Sequence, residues 1–438
     1  MAVFEVEIEK IVAGGDGLAR REGRVVFVPK TAPRERHRVE IVQERKDYLR
    51  GRSTARLTDS VTRREAPCRY DERCGGCALM HLTPEAQLAS KKSILLESLA
   101  RSGALALTAP GEPELAVAPS PEQGYRTRLR FHISSTDNGL AMGFRRRGSH
   151  FVEDVEHCHL AGDELNACWR RVRAHLERAG GVTQGLVSVE LQESSHERGR
   201  ILGRFLVRSK DGLRRFDREA REALVRDAGL EGLAVVWGSQ EVRSGRACVH
   251  HRVAGVVLRQ SAGAFFQTNR ALLQKLVASV APAAMVSRVV DLYCGVGLFA
   301  IPLSRKARRV VGVEASPIAV RDAIENAHSA GVEARFTCGD ASRFAAGFAF
   351  ERGDYVIVDP PRGGLPRELR QTLSQAPILE ICYVSCDPAA FARDATFLCR
   401  QGFRLRRLEL LDFFPNTHHF ETVASFSRAA LDSAPRGG

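Results

Sequence analysis

Short apolar runs alternate with helical stretches in the last third of the chain, from about residue 285. The runs occur in RVVDLYCG, RVVGVEAS, ARFTCGDA, DYVIVDPP and EICYVSCDP, and segments with helical spacing separate most of them. Such alternation is typical of a parallel sheet with helices on both faces. One helix start is marked by Ser316, a capping residue, followed by Pro317. The fold class predicted for residues 261–428 is therefore α/β, with a Rossmann-like sheet.

The patterns before this domain are different. Residues 1–58 contain β-rich runs, FEVEIEKIV, RVVFVPK and HRVEIV, separated by the turn signals GGDG and TAPRER. They predict a small β-barrel of the OB type. Residues 66–260 predict a mixed α+β central domain, with one helix over PEAQLASKKSILLESLARSG and β runs such as RLRFHIS and ILGRFLVRS. Residues 429–438 are predicted to be a disordered tail.

Composition narrows the class of protein. Hydrophobic residues make up 44% of the 438 residues, enough for packed cores. No apolar run approaches the ~20 residues that cross a bilayer, and no signal peptide is evident, so we expect a soluble, cytoplasmic protein. No protein partner is implied, and we expect a monomer. The formal net charge of +13 suits a polyanionic partner such as nucleic acid. The basic run 144–148 is either an RNA contact or a charged surface loop.

Acidic and glycine residues at the predicted strand ends indicate a cofactor site. The first strand ends in Asp291 and leads into Gly295-Val296-Gly297, where the backbone can pass close to a ligand. The next strand ends in Glu314, which can accept hydrogen bonds from ribose hydroxyls, and the third in Asp340, near the expected adenine. The pattern favours S-adenosylmethionine, a cofactor without phosphate. A dinucleotide, or a glycine turn that serves packing alone, is the alternative.

Three later segments are expected at the same edge of the sheet: Asp359 to Gly364, Ser385 to Pro388, and Phe414 to Glu421. C5 of uracil becomes nucleophilic when a thiolate adds to C6, and a base must later remove the C5 proton. Cys386 is the candidate nucleophile, beside a helix N-terminus that is expected to lower its pKa. Glu421 is the candidate base.

Several motifs in order resemble one family. The motifs D-L-Y-C-G-V-G, F-F-Q-T-N at 265–269, D-P-P-R, Y-V-S-C and F-P-x-T-x-H-x-E together resemble the RNA 5-methyluridine methyltransferases. The resemblance implies that Cys386 is the nucleophile and Glu421 the proton acceptor. It also implies contacts with S-adenosylmethionine from a set of residues at the strand ends and before them: Gln267, Tyr293, Glu314, Asp340 and Asp359. Two departures are Asp387 and Leu298, where many members have asparagine.

A cysteine-rich turn opens the central region. Cys68, Cys74 and Cys77 lie close together in sequence, and Cys158 is the best candidate for a fourth ligand. In a reducing compartment such cysteines are expected to bind metal, and their spacing permits zinc, an iron–sulfur cluster or a metal-free turn. The pattern resembles the iron–sulfur members of the same family, which implies a [4Fe–4S] cluster with a structural or RNA-positioning role.

The N-terminal module resembles the TRAM domain, an RNA-binding barrel. With it, the resemblance implies the branch that methylates 23S ribosomal RNA, with transfer RNA as the alternative substrate. Other interpretations are cytosine-C5 methylation, a catalytically silent RNA-binding protein and a redox iron–sulfur enzyme. The first typically needs a nucleophile after proline, and the only Pro-Cys pair, Pro67-Cys68, lies in the cysteine turn. The second is disfavoured by the presence of both Cys386 and Glu421.

Overall fold

The computed structural model describes residues 3–107, 113–136 and 139–428. The predicted tail, residues 429–438, lies outside the described residues. The first module is a six-stranded sheet whose strands are β1 (Val3–Glu7), β2 (Lys10–Ile11), β3 (Gly17–Arg21), β4 (Arg24–Val28), β5 (Arg36–Glu44) and β6 (Tyr48–Arg56). The strand order is β1-β5-β6-β4-β3-β2.

The N-terminal sheet bends so that distant strands meet. The Glu9 N–H, just after β1, donates to the Leu18 carbonyl of β3 at 2.8 Å. Alternate strand positions such as Val6, Val26 and Val39 fill a small core. This arrangement is consistent with the predicted OB-like barrel.

An irregular segment, residues 63–82, comes next and contains the cysteine turn. It leads into helix α1 (Pro84–Ser102) and strand β7 (Leu115–Ala118). Thr83 caps α1 by accepting a hydrogen bond from the Ala86 N–H, and Gly103, with a φ of 82°, ends it. The predicted helix and its terminal glycine are therefore confirmed.

The central sheet has seven strands in the order β10-β9-β8-β11-β12-β13-β14. The Trp169 ring packs against Phe131 at 4.1 Å between centroids, in the core between this sheet and helix α2. The elements of this region are β8 (Arg128–Thr136), β9 (Gly139–Arg145), β10 (Val152–Asp154), α2 (Asp163–Ala179), β11 (Leu186–Glu193), β12 (Ile201–Val207), α3 (Lys210–Arg215), α4 (Arg218–Ala228), β13 (Gly232–Trp237), β14 (Gln240–Gly245), β15 (Cys248–Val253) and β16 (Val256–Ser261).

The C-terminal elements are α5 (Leu273–Val280), β17 (Val286–Asp291), α6 (Ala300–Leu303), β18 (Ala307–Glu314), α7 (Pro317–Ser329), β19 (Ala334–Cys338), α8 (Ala341–Gly347), β20 (Asp354–Val358), α9 (Arg367–Gln375), β21 (Glu380–Ser385), α10 (Pro388–Arg400), β22 (Arg404–Leu411) and β23 (Glu421–Ser427). Their sheet has the order β19-β18-β17-β20-β21-β23-β22-β7. The first five strands are parallel, and β23 runs antiparallel to β21. Hydrophobic cores lie on both faces, so the predicted Rossmann-like α/β fold is confirmed.

Two segments from the predicted central region pack on this C-terminal sheet. Strand β7 pairs with β22, and helix α1 lies against α10, where Thr396 donates to the Ser102 carbonyl at 3.1 Å. The β15–β16 hairpin is tied to α7 through Ser261, whose N–H donates to Asp322 at 2.6 Å. The division at residue 261 stays a prediction. Because helix α1 packs against α10, it supports the part of the C-terminal sheet that carries the candidate site.

The N-terminal module packs against the irregular segment, residues 63–82, that contains the cysteine turn. Arg63 pairs with the buried Glu35, and His81 bonds the Thr31 carbonyl at 3.0 Å. Lys30 donates to the Cys77 carbonyl at 3.1 Å. No helix in the described ranges has both the length and the apolar character that crossing a membrane requires.

Candidate active site

The carboxyl edge of the parallel strands carries the site. Asp291 ends β17, Glu314 ends β18, Asp359 follows β20 and Cys386 follows β21. Glu421 is the first residue of the antiparallel β23, which enters the sheet from the same edge. The topology therefore brings together side chains that are up to 130 positions apart in sequence.

The glycine loop after β17 is organised by Glu314. One carboxylate oxygen accepts from the Gly295 N–H at 3.2 Å and the other from the Ser316 N–H at 2.8 Å. Ser316 in turn caps α7, as predicted. Gly297 has a φ of 89°, and a Cβ there would lie 2.4 Å from Ile301, so only glycine fits. A carboxylate oxygen can accept two hydrogen bonds, so each oxygen of Glu314 keeps one acceptor position that a ribose hydroxyl could fill.

Tyr293 and Asp340 lie next to each other on the neighbouring part of the edge. Burial, and then the charge of Asp340, raise the pKa of Tyr293 to about 12, so the phenol stays neutral. Asp340 caps α8 by accepting from the Arg343 N–H at 3.0 Å. Its second oxygen is available, because the side chain is exposed. A half-buried aromatic ring beside an acceptor is a suitable surface for adenine.

Gln267 lies in the buried stretch Phe266 to Asn269. Asn269 anchors that stretch, since its side chain donates to the Phe413 carbonyl at 2.9 Å and accepts from the Leu272 N–H at 3.2 Å. The stretch is thus attached to the end of β22, just before the segment that leads to Glu421. Only the family resemblance indicates Gln267 from the sequence, and its burial in this stretch is the structural signal that accompanies it.

A cluster of buried carboxyl groups occupies the centre of the site. Burial, and then the charge of Asp359, raise the pKa of Asp291 to about 8. Burial and Glu314 raise the pKa of Asp359 to about 7, and burial and Asp359 raise that of Glu421 well above its usual value. Within the described chain, one oxygen each of Asp291 and Glu421 is buried without a hydrogen-bond partner. Such a cluster favours a cation, and the sulfonium of S-adenosylmethionine is one.

Cys386 lies half-buried beside this cluster. Burial, then Glu421 and Asp359, raise the pKa of its thiol to about 11, while Arg362 acts in the opposite direction. The predicted helix N-terminus is present, but the expectation that it would lower the pKa is wrong, because desolvation and two carboxyl groups outweigh it. Asp387 turns away into the helix, where it caps α10 by accepting from the Ala390 N–H at 2.8 Å.

Arg362, His418 and His419 form the rim of the site. Arg362 contacts the His419 ring at 3.2 Å, and the two histidine rings lie 3.9 Å apart. Burial and neighbouring positive charges lower the pKa of His418 to about 4 and that of His419 to about 3, so both rings are neutral. The sequence analysis places Asp291 at a strand end of the cofactor site, but nothing in the patterns singles out Arg362. Their importance follows from the charges that the fold places around them.

The four cysteines of the predicted cluster are brought together. Cys68, Cys74, Cys77 and Cys158 line one cavity of about 60 Å³, whose other walls include Met80 and Leu129. The Gly76 N–H donates to the Cys74 sulfur at 3.4 Å. Across the described parts of the chain, no three His, Cys, Asp or Glu side chains are placed to bind a single metal ion. The four sulfurs therefore line one small cavity, whose wall also includes Asp71, Arg126 and His157.

The basic run 145–147 lies against this turn. The Gly75 N–H donates to the Arg145 carbonyl at 2.9 Å, and Arg147 donates to the Cys77 carbonyl at 3.1 Å. Gly15 of the N-terminal module approaches His418 from the other side, since a Cβ on Gly15 would lie 3.4 Å from the His418 Cβ. Basic groups, the N-terminal module and the cysteine turn thus border the active-site rim.

The fold and the site together define an S-adenosylmethionine-dependent methyltransferase. Family models match the chain as a TRAM domain over residues 2–54, a methyltransferase domain over 289–375 and a tRNA (uracil-5-)-methyltransferase over 346–429.

Similar proteins agree over nearly the full length. A 23S rRNA (uracil(1939)-C(5))-methyltransferase, RlmD, of Pseudomonas entomophila is 35% identical over 96% of this chain and 92% of its own. An uncharacterized RNA methyltransferase of Aquifex aeolicus is 34% identical over 96% of this chain and 97% of its own. The solved tRNA (uracil-54, C5)-methyltransferase of Pyrococcus abyssi, in complex with S-adenosyl-L-homocysteine, has 26% identity and a TM-score of 0.74, over 96% of this chain and 99% of that one. The chain therefore belongs to the family of RNA (uracil-C5) methyltransferases.

Proposed function

We propose that this protein transfers a methyl group from S-adenosylmethionine to C5 of a uridine in 23S ribosomal RNA. The observation that carries the proposal is the meeting of Cys386, Glu421 and Asp359 at the carboxyl edge of the sheet, beside the Glu314 glycine loop. A catalytically silent RNA-binding protein has no need for a thiol and a buried carboxyl group at that place.

In the proposed mechanism, S-adenosylmethionine supplies the electrophilic methyl group when it is bound. Cys386 releases its proton to solvent, and the sulfur forms a bond to C6 of the uracil, which moves the C5–C6 electron pair towards C5 and O4. C5 then takes the methyl group, and the demethylated cofactor is the leaving group. Glu421 accepts the C5 proton, the C5–C6 double bond re-forms, and the C6–sulfur bond breaks. The enzyme is thereby returned with its cysteine free.

The residues proposed to hold the cofactor contact different parts of it. Glu314 accepts from the ribose hydroxyls, and Tyr293 and Asp340 bind the adenine. Asp359 provides negative charge for the sulfonium, and Gln267 contributes a polar side chain from the buried stretch before α5. The pKa of Asp359, raised to about 7, gives this carboxyl group the most to gain from a neighbouring positive charge.

RNA is proposed to approach over the rim, between the N-terminal module and the cysteine turn. The base must leave its stack to reach a half-buried thiol. The relatives at 33–35% identity that carry a substrate in their names act on 23S rRNA, which supports a ribosomal substrate. The Pyrococcus abyssi tRNA enzyme supports transfer RNA as the second candidate. Because both candidate substrates are RNAs of the translation machinery, we propose that the enzyme acts in the cytoplasm, as a monomer.

The test is incubation with methyl-labelled cofactor and separate pools of unmodified ribosomal and transfer RNA, followed by mapping of the label. We expect label on C5 of one uridine in 23S RNA. Label on a transfer RNA uridine would change the substrate, and label on cytidine would change the base. Absence of label from both pools would overturn the enzymatic proposal.

We also propose that Cys68, Cys74, Cys77 and Cys158 hold a [4Fe–4S] cluster with a structural role. A cluster separates its cysteine ligands more widely than a single ion does, which suits sulfurs that surround a cavity. The N–H bond from Gly76 to the Cys74 sulfur is of the kind that stabilises cluster thiolates. Zinc is the alternative. Anaerobically purified protein should contain iron and sulfide, and zinc without sulfide would overturn the assignment.

A further inference from the structure

The candidate base is positioned by a loop that the chemistry does not use directly. Residues 412–420, the base loop, connect the end of β22 with Glu421 at the start of β23. Glu421 is buried, and its Oε2 is without a hydrogen-bond partner among the described residues. That oxygen is therefore not fixed by a bond of its own. The Glu421 backbone pairs with Leu411 at the end of β22, so the base loop closes between two paired residues and its conformation sets how Glu421 enters the strand.

Asn416 is the centre of the hydrogen bonds that hold this loop. Its N–H donates to Gln87 Oε1 at 2.7 Å, and its Oδ1 accepts from Gln87 at 3.1 Å and from Arg64 at 3.0 Å. Its Nδ2 donates to the Glu122 carbonyl at 3.0 Å, and its own carbonyl accepts from the Leu79 N–H at 2.9 Å. One side chain and its peptide thus connect the base loop with the cysteine turn, α1 and the segment before β8.

The backbone at Asn416 is equally specific. Its φ is 67°, in the left-handed region that asparagine and glycine tolerate best. The side chain is 1% exposed, as is Gln87, so a lost partner leaves a buried polar group unpaired. The same loop is held at its start by Lys91, a fully buried lysine that donates to Asp412 at 2.6 Å and to the Phe414 carbonyl at 3.0 Å.

Asn416 lies close to the candidate base in sequence but takes no direct part in the proposed reaction. It lies five residues before Glu421, and it occupies the third place of the segment Phe414-Pro415-Asn416-Thr417, which the sequence patterns leave unassigned. All of its hydrogen-bonding groups face protein partners, so none is directed at a substrate.

We propose that Asn416 is a positioning residue that fixes Glu421 for removal of the C5 proton and connects it to the cysteine turn through Arg64 and Leu79. The inference rests on the proposed role of Glu421 as the base. It predicts which step of the reaction slows when the Asn416 bonds are lost. Formation of the carbon–sulfur bond and methyl transfer proceed, whereas the elimination that releases Cys386 becomes slower.

The test is Asn416→Gly, which keeps the left-handed backbone and removes the side-chain bonds. We expect kcat to fall about 10- to 100-fold, the range that a misplacement of about 1 Å produces. The KM values for cofactor and RNA should stay nearly constant. Methyl-labelled RNA should accumulate as a covalent adduct with the protein, measured on denaturing gels. Gln87→Ala, which breaks the same network from α1, should give the same signature.

Two controls separate positioning from stability. Val235→Ala removes a buried side chain from β13 in the central sheet, and it should lower the unfolding temperature without adduct accumulation. Asn416→Asp keeps an acceptor for Arg64 and Gln87 but sets a carboxylate oxygen against the Glu122 carbonyl, so its kcat and its accumulated adduct should lie between those of the parent and of Asn416→Gly. If Asn416→Gly is too unstable to purify, Gln87→Ala and Asn416→Asp carry the test.

The outcomes are distinct. Full kcat in Asn416→Gly, or a lower kcat without accumulated adduct, would overturn the inference. Glu421→Gln is measured in parallel and should trap more adduct than either variant. If Glu421→Gln traps none, the proposed base is wrong and the inference falls with it. If Glu421→Gln traps adduct and Asn416→Gly does not, the inference alone is wrong.

Discussion

The protein contains two cysteine sites that differ in their surroundings. Cys386 lies at the end of a parallel strand among carboxyl groups, next to Glu421 and Asp359. Cys68, Cys74, Cys77 and Cys158 line a cavity whose walls include Tyr70, Met80 and Leu129. Burial raises the pKa of the thiol in both sites, to about 11 for Cys386 and for Cys74.

The comparison teaches that burial alone does not assign a cysteine its role. A single thiol beside a base and a methyl-donor site can add to a ring and leave it again. The four thiols of the other site line one cavity together with Asp71, His157 and His159, and we propose that they bind a cluster. The neighbours of each sulfur, supplied by different parts of the fold, distinguish the two kinds of site.

The largest expected effect is that of Cys386→Ala. Turnover should fall by on the order of 10⁴-fold or more, because the covalent route requires this sulfur. Iron content and unfolding temperature should stay as in the parent protein. Cys399→Ala, in the last turn of α10, the helix that follows Cys386, is the matched control and should retain activity. Methyl transfer by Cys386→Ala at the parental rate would remove the nucleophile assignment.

Cys77→Ser should have the opposite profile. We expect loss of bound iron and a fall of roughly 5 °C or more in unfolding temperature, because a bound cluster stabilises the folded state alone. Activity should decrease less than in Cys386→Ala, because the cysteine turn acts on the active site only indirectly, through the contact of Leu79 with the base loop. Iron analysis and calorimetry are the measurements, with Cys399→Ser as control. Unchanged iron content would show that the cavity is not the cluster site.

The third prediction concerns pH. The active forms of Cys386 and Glu421 are deprotonated, and the fold raises both pKa values, so kcat/KM should rise with pH through neutrality. Arg362→Gln removes a charge that lowers both pKa values, so the profile should move to higher pH. At neutral pH we expect about a tenfold lower kcat/KM, the change that one pKa unit produces. The exposed Arg367→Gln, on α9, should leave the profile in place. A profile that falls through neutrality would contradict the assignment.

The smallest effect is expected for Asp387→Asn. Both residues are good helix caps, and the Asp387 side chain bonds the Ala390 N–H instead of facing the sulfur. Stability should change by less than about 0.5 kcal/mol and kcat by less than about twofold. Chemical denaturation and steady-state kinetics measure both. A large gain in activity would show that the carboxylate opposes ionisation of Cys386 after all.

Much of the fold and site could be predicted from local patterns. The alternation of apolar runs predicted the parallel sheet, and Ser316 with Pro317 marked the start of α7. The motifs predicted Cys386 and Glu421 as nucleophile and base, and the cysteine spacing predicted the group of four cysteines that the structure brings to one cavity. The sequence patterns assigned residues 84–118 to the central region but could not show what these residues pack on. Helix α1 and strand β7 are local elements, and their partners, α10 and β22, lie about 300 residues later in the chain.

The sequence by itself determined which residues are capable of the chemistry, since strand ends, caps and motifs are properties of short segments. Only the tertiary structure decided how those groups behave. The pKa of Cys386 is raised, against the expectation from its helix, because desolvation and carboxyl groups from β20 and β23 act together. Lys91 looks like a surface lysine in sequence, yet it is buried on Asp412. Charge and burial are sums over distant neighbours, and no local pattern contains that sum.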